Sequence, residues 1–141
     1  VSKWIYPDKE TLKWWGEYLE DPTIFLHEYL PLIDGEWVNT VSNTLELLKF
    51  DHYNDEIHHK AAHVLYKVCK NHHFIDGNKR SSIIVLYLFC IVNGYMITCS
   101  PEEIKKLAKQ TADINGSQNY ESDIKNIQKI LEGVIVPISK N

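Results

Sequence analysis

The chain has 141 residues, enough for one domain, residues 1–141, with one sizeable hydrophobic core. Apolar residues make up 44 % and charged residues 24 %, a balance that argues against disorder for most of the chain. A net charge of -4, from 15 basic and 19 acidic residues, supplies no global positive field, so no direct nucleic-acid partner is expected.

The segment from Asp8 to Leu19 carries Leu12, Trp15 and Leu19 at helical spacing, with Trp14 and Tyr18 widening the apolar face, and Asp21-Pro22 breaks it. A second helical piece runs from Ile24 to Leu30 and stops at Pro31. Leu32 to Trp37 then shows turn chemistry and weak strand potential, the pattern of an ordered flap around Gly35, Glu36, Trp37 and Val38. Thr40 to Leu48 reads as a helix, and Asp51 to Asn54 is a polar break before a longer helix that opens at Asp55. On that helix Ile57, Ala61, Val64, Leu65 and Val68 form one apolar face, which turns Lys60, Lys67 and Lys70 outward.

Ser81 to Val92 is apolar nearly all round and closes at Asn93-Gly94, as expected of a central helix coated by others. Its most hydrophobic stretch, Ile83 to Val92, is about half of what a membrane-crossing helix requires, so no membrane partner is expected. Tyr95 to Cys99 is short and extended. Ser100-Pro101-Glu102-Glu103 is the clearest helix start in the chain, with a Ser cap, Pro in the first position and Glu103 able to close the capping box. Ile104, Leu107, Ala108 and Thr111 continue that helix to Asn115-Gly116-Ser117. A last helix from about Ser122 to Leu131 presents Ile124, Ile127, Ile130 and Leu131. These elements predict an all-α bundle of six or seven helices around a buried central helix, with a short flap. Cys69, Cys90 and Cys99 lack CxxC spacing, and the N-terminal residues lack the apolar run of a signal peptide; both features point to a cytoplasmic protein with reduced thiols.

The chemistry concentrates in His72-His73-Phe74-Ile75-Asp76-Gly77-Asn78-Lys79-Arg80-Ser81, where titratable and cationic groups surround a Gly turn at the mouth of the central helix. Free backbone donors from Gly77 to Arg80, helped by the Arg80 charge, can bind phosphate oxygens. His72 is suited to act as a general base, and Asp76 offers a hard oxygen ligand for magnesium. Phe74 anchors the loop, and Asn78 fixes its backbone or touches phosphate.

This segment resembles the signature of the Fic/Doc superfamily, His-x-Phe-x-Asp/Glu-Gly/Ala-Asn-Gly/Lys-Arg, at all its defined positions: His72, Phe74, Asp76, Gly77, Asn78, Lys79 and Arg80. The order of elements extends the resemblance over most of Ile24 to Leu131. It implies His72 as the base that deprotonates a target hydroxyl, Asp76 as the magnesium ligand, and Gly77, Asn78, Lys79, Arg80 and Ser81 as the turn that binds a nucleotide such as ATP. Arg80 would also stabilise the transferring phosphate, and the flap would align the target chain. The adenylyl-transferring branch usually has Gly after Asn and a second Arg three residues beyond the first. Lys79 and Ile83 stand at those places and match the death-on-curing branch, in which the terminal phosphate is transferred. The resemblance therefore implies a toxin-like protein kinase acting on a translation component such as an elongation factor, with a separate antitoxin as partner. Protein adenylylation with the same base is the alternative, and a catalytically silent, antitoxin-paired binding module is the third reading.

Blander readings stand beside these. His73 occupies an unspecified position and is expected at the surface. Trp14, Trp15 and the tyrosines read as core or rim packing, whereas Trp37 in the flap could press on a target or a base. His59 and His63 share a helix face near His58, Cys69, His72 and His73, which raises zinc. No acidic residue stands between His59 and His63 as in the metalloprotease pattern, and Cys69 fits the apolar face. Ser117-x-x-x-Glu121 faintly resembles a self-inhibitory element but has Ser122 where Gly or Asn is usual.

Overall fold

The computed structural model describes residues 3–24, 28, 36–49, 56–70, 78–114 and 119–138. Four helix starts follow local capping chemistry. In α1 (Lys9–Tyr18) the Asp8 carboxylate accepts the Thr11 N–H at 2.8 Å, and in α3 (Ile57–Cys69) Glu56 accepts that of His59 at 3.1 Å. Ser100 caps α5 (Pro101–Ala112) by accepting from the Glu103 N–H at 3.2 Å, with Pro101 in the first turn as anticipated. Asn119 caps α6 (Tyr120–Glu132) through the Ser122 N–H at 3.1 Å.

The remaining helices are α2 (Glu36–Leu48) and α4 (Asn78–Val92), and two three-residue strands, β1 (Tyr95–Ile97) and β2 (Ile135–Pro137), pair antiparallel with Met96 opposite Val136. The fold is all-α, with six helices among the described residues. Asn93-Gly94 turns the chain from α4 into β1, and Gly94 takes φ +83°, a conformation that side chains with a Cβ avoid. No helix among the described residues is long and apolar enough to cross a membrane.

The core lies between α3 and α4, which pack on each other. α3 also meets α6, α5 and α2, while α4 is covered by α5 and β1. Ile84, Val85, Leu86, Leu88, Phe89 and Cys90 are wholly buried, so α4 is the central helix that its all-round apolarity predicts.

Several boundaries and faces differ from the sequence reading. Lys60, expected outside, is 1 % exposed, because neighbours on several sides of α3 leave it no single solvent face. Lys67 is exposed, and Lys70 reaches across to the end of α5, where its Nζ donates to the carbonyls of Ala112 at 3.0 Å and of Ile114. Trp14 and Tyr18 do not extend the apolar face; they stack on each other at 5.6 Å in solvent, while Leu12 and Leu19 enter the core. Ile130 is also exposed. β2 was not anticipated, since Ile135–Pro137 becomes a strand only through its distant partner β1. Of the expected Ile24 to Leu30 helix, only Ile24 and Glu28 are described.

Candidate functional site

The first turn of α4 begins at Asn78, three residues before the expected start, and so draws Asn78, Lys79, Arg80 and Ser81 from the loop into the helix. This places their backbone N–H groups at the end of a 15-residue helix. The donors of a first turn have no partner within the helix and carry the positive end of its dipole, which suits phosphate oxygens. The turn is anchored from behind: Ser82 is fully buried and Ile83 is 3 % exposed, the first of the core residues on α4. The packing of α3 on α4 sets Cys69 and Asn78, the helix residues that flank the connecting segment, on neighbouring helices.

His72, His73, Phe74, Asp76 and Gly77 lie outside the described residues, as do the side chains of Asn78, Lys79, Arg80 and Ser81. Of the flap, Gly35 lies outside as well, whereas Glu36, Trp37 and Val38 form the first turn of α2 instead of an extended segment. Val38 is buried in the core and unable to face a target, while the side chains of Glu36 and Trp37 are not described. Ser117 is outside the described residues, and Glu121 is exposed in the first turn of α6.

Of the residues that raise zinc, His58, His59, His63 and Cys69 are described, while His72 and His73 are not. Among the described residues no group of three or more His, Cys, Asp and Glu could hold a metal ion. The Cys69 thiol donates to the Ala108 carbonyl at 3.4 Å. Both nitrogens of His58 meet acceptors, Nδ1 the Glu56 carboxylate at 2.5 Å and Nε2 the Ile135 carbonyl at 2.9 Å, an arrangement satisfied by the imidazolium. Burial opposes that charge, but the bonds to Ile135 and Glu56 outweigh it and raise the His58 pKa above its ordinary value. For Glu56, burial is likewise outweighed by bonds from His58 and from the backbone, and its pKa is lowered.

His59 and His63 do come together, with Nε2 atoms 2.9 Å apart. Their other nitrogens bind α6: His59 Nδ1 meets Gln128 Oε1 at 3.0 Å, and His63 Nδ1 meets the Tyr120 hydroxyl at 2.6 Å. Tyr120 is further enclosed by the edge-on ring of Tyr66 at 5.1 Å and by Lys67 Nζ, 4.6 Å from its centroid. The i, i+4 spacing of the two histidines is readable in the sequence. Their partners, more than fifty residues away, carry no local signal.

No curated protein and no solved structure gives a significant match to the chain. Residues 33–90 match the family model described as Fic/DOC family, a stretch that contains α2, α3, the whole His72 to Arg80 motif and most of α4, so this part of the chain is similar to the Fic/Doc superfamily.

Proposed function

We propose that the chain is an ATP-dependent protein phosphotransferase of toxin–antitoxin type that moves the terminal phosphate to a hydroxyl on a translation-related protein, such as an elongation factor. The observation that carries this reading is the motif itself, whose last residues, Asn78 to Arg80, open α4 and which lies wholly inside the Fic/DOC match. In it His72 takes the proton of the attacking hydroxyl. The first-turn N–H groups of α4 and the Arg80 guanidinium stabilise charge on the phosphate being transferred. Asp76, two residues ahead of α4, has the hard carboxylate oxygen that suits Mg2+, and the ion would neutralise phosphate charge. Glu36 and Trp37, at the start of the flap helix, align the acceptor segment, and a separate antitoxin covers the flap or the nucleotide groove.

The choice of terminal phosphate over adenylyl transfer rests on two positions. Lys79 adds a cation to the phosphate turn where the adenylyl branch has Gly. Ile83 stands where that branch has a second Arg, and it is buried among apolar residues, which favours a site with a single guanidinium clamp. Adenylylation is the second reading, since the Fic/DOC match spans both chemistries and the same His72 base serves either. Incubating purified chain, Mg2+ and cell lysate with ATP labelled at the alpha or the gamma phosphate separates them. Gamma label on protein supports the proposal, alpha label supports the second reading, and ATP-independent binding without transfer overturns both in favour of a binding module.

A further inference from the structure

The histidine pair on α3 has the features of a metal site that the phosphotransfer reading does not use. We propose that His59 and His63 bind a divalent transition-metal ion of the Cu2+ or Ni2+ class through their Nε2 atoms, with Gln128 and Tyr120 of α6 as positioning residues.

Three observations converge. First, the Nε2 atoms are 2.9 Å apart, and at a metal–nitrogen length of about 2.1 Å this separation sets a nitrogen–metal–nitrogen angle of about 90°. Such an angle belongs to the square-planar and octahedral ions Cu2+ and Ni2+ more than to tetrahedral Zn2+, and water completes the coordination. Second, the ring centroids are only 4.5 Å apart with the ring planes at 62°, closer than an end-to-end meeting of the rings at this nitrogen separation would allow, so the two Nε2 atoms do not share one axis. Third, each ring is held by its opposite nitrogen to a fixed partner, the outer-shell pattern typical of metal-binding histidines. His63 is 8 % exposed and His59 half-buried, so the pair sits at the edge of the core with one ring partly open to solvent.

The proton count closes. Without metal, one donor order satisfies the whole chain: the Tyr120 hydroxyl donates to His63 Nδ1, His63 Nε2–H donates to His59 Nε2, and His59 Nδ1–H donates to Gln128 Oε1. On binding, both Nε2 lone pairs form bonds to the ion and displace two of its waters. The His63 proton passes from Nε2 to Nδ1, and the Tyr120 hydroxyl, able to donate or accept, turns to accept it. No proton is released. The bound ion fastens α3 to α6 through the two positioning residues.

The test is calorimetric titration of the full chain, free of any affinity tag, with Cu2+ and Ni2+ in a non-coordinating buffer, with Mg2+ as the control ion. One strong site for Cu2+ or Ni2+, weakened at least tenfold in His59→Ala and retained in His58→Ala, is expected. His59 is half-buried and its replacement leaves the apolar core intact, so this variant reports on binding and not on folding. Tyr120→Phe should weaken binding about tenfold in the folded protein, as loss of an outer-shell partner does, and Gln128→Glu should strengthen it. A purely structural hydroxyl would shift melting without shifting metal affinity. Absence of Cu2+ and Ni2+ binding, or binding that survives in His59→Ala and disappears in His72→Ala, overturns the proposal. Neither result bears on ATP-dependent transfer.

Discussion

The side chain of Asn93 ties the end of α4 to the N-terminal segment. Its Oδ1 accepts the Ile5 N–H at 2.8 Å, and its Nδ2 donates to the carbonyls of Ile5 and Phe89, each at 2.8 Å. Asn93→Ala removes all three bonds. A net hydrogen bond contributes about 1 kcal/mol, and we halve that for the two solvent-facing bonds to Ile5, so the loss sums to about 2 kcal/mol. With an unfolding entropy of about 2.1 cal/mol/K per residue, a chain of this length loses about 7 °C of melting temperature for that change. Asn93→Asp is the sharper test, because it keeps the acceptor for the Ile5 N–H and sets a carboxylate against two carbonyl oxygens. It should destabilise at least as much as the Ala variant despite its nearly identical shape. The assay is thermal unfolding followed by circular dichroism at neutral pH. A shift below about 2 °C in both variants would refute the reasoning and show that the N-terminal segment is held by apolar contacts alone.

Replacing Ile84 or Leu88 with Asp should abolish cooperative unfolding, because each is fully buried and the change inserts an unpaired carboxylate into the core; native-like melting of both would show that this face is not core. The Glu56–His58 pair should make stability depend on pH. The raised His58 pKa contributes stability that is complete below its unfolded value, about 6.5, and fades as pH rises through the folded one, while the lowered Glu56 pKa contributes stability that is lost as pH falls through its folded value. The melting difference between the parent chain and His58→Gln, measured with chelator present, should therefore shrink as pH rises above about 6.5, and a constant difference would contradict it.

Local and all-round patterns were legible from the sequence. Ser100, Pro101 and Glu103 announced α5 through side-chain chemistry confined to four residues, and the unbroken apolar run of α4 announced its central position. Long-range packing escaped it. Lys60 has the composition of a surface residue, yet several elements close around α3 and bury it. Glu36-Trp37-Val38 follows a turn-like Asp34-Gly35 and reads as flap, but the helix periodicity of Val38, Val41 and Leu45 carries α2 back to Glu36. Of the candidate site, the motif was readable because its residue types and spacing are local. The placement of Asn78 to Ser81 on a helix, and the α6 partners of His59 and His63, depend on packing that no single segment encodes.

The central claim is that His72 serves as the base in transfer of a terminal phosphate, and parallel labelling with alpha- and gamma-labelled ATP tests it most directly. The parent chain and His72→Ala are each incubated with Mg2+ and lysate, and acceptor mass is read by intact-protein mass spectrometry. The parent chain should place gamma label and the mass of one phosphoryl group on protein, reduced about 100-fold or more in a folded His72→Ala protein. Undiminished labelling by that variant, or transfer of alpha label with the mass of an adenylyl group, would contradict the claim.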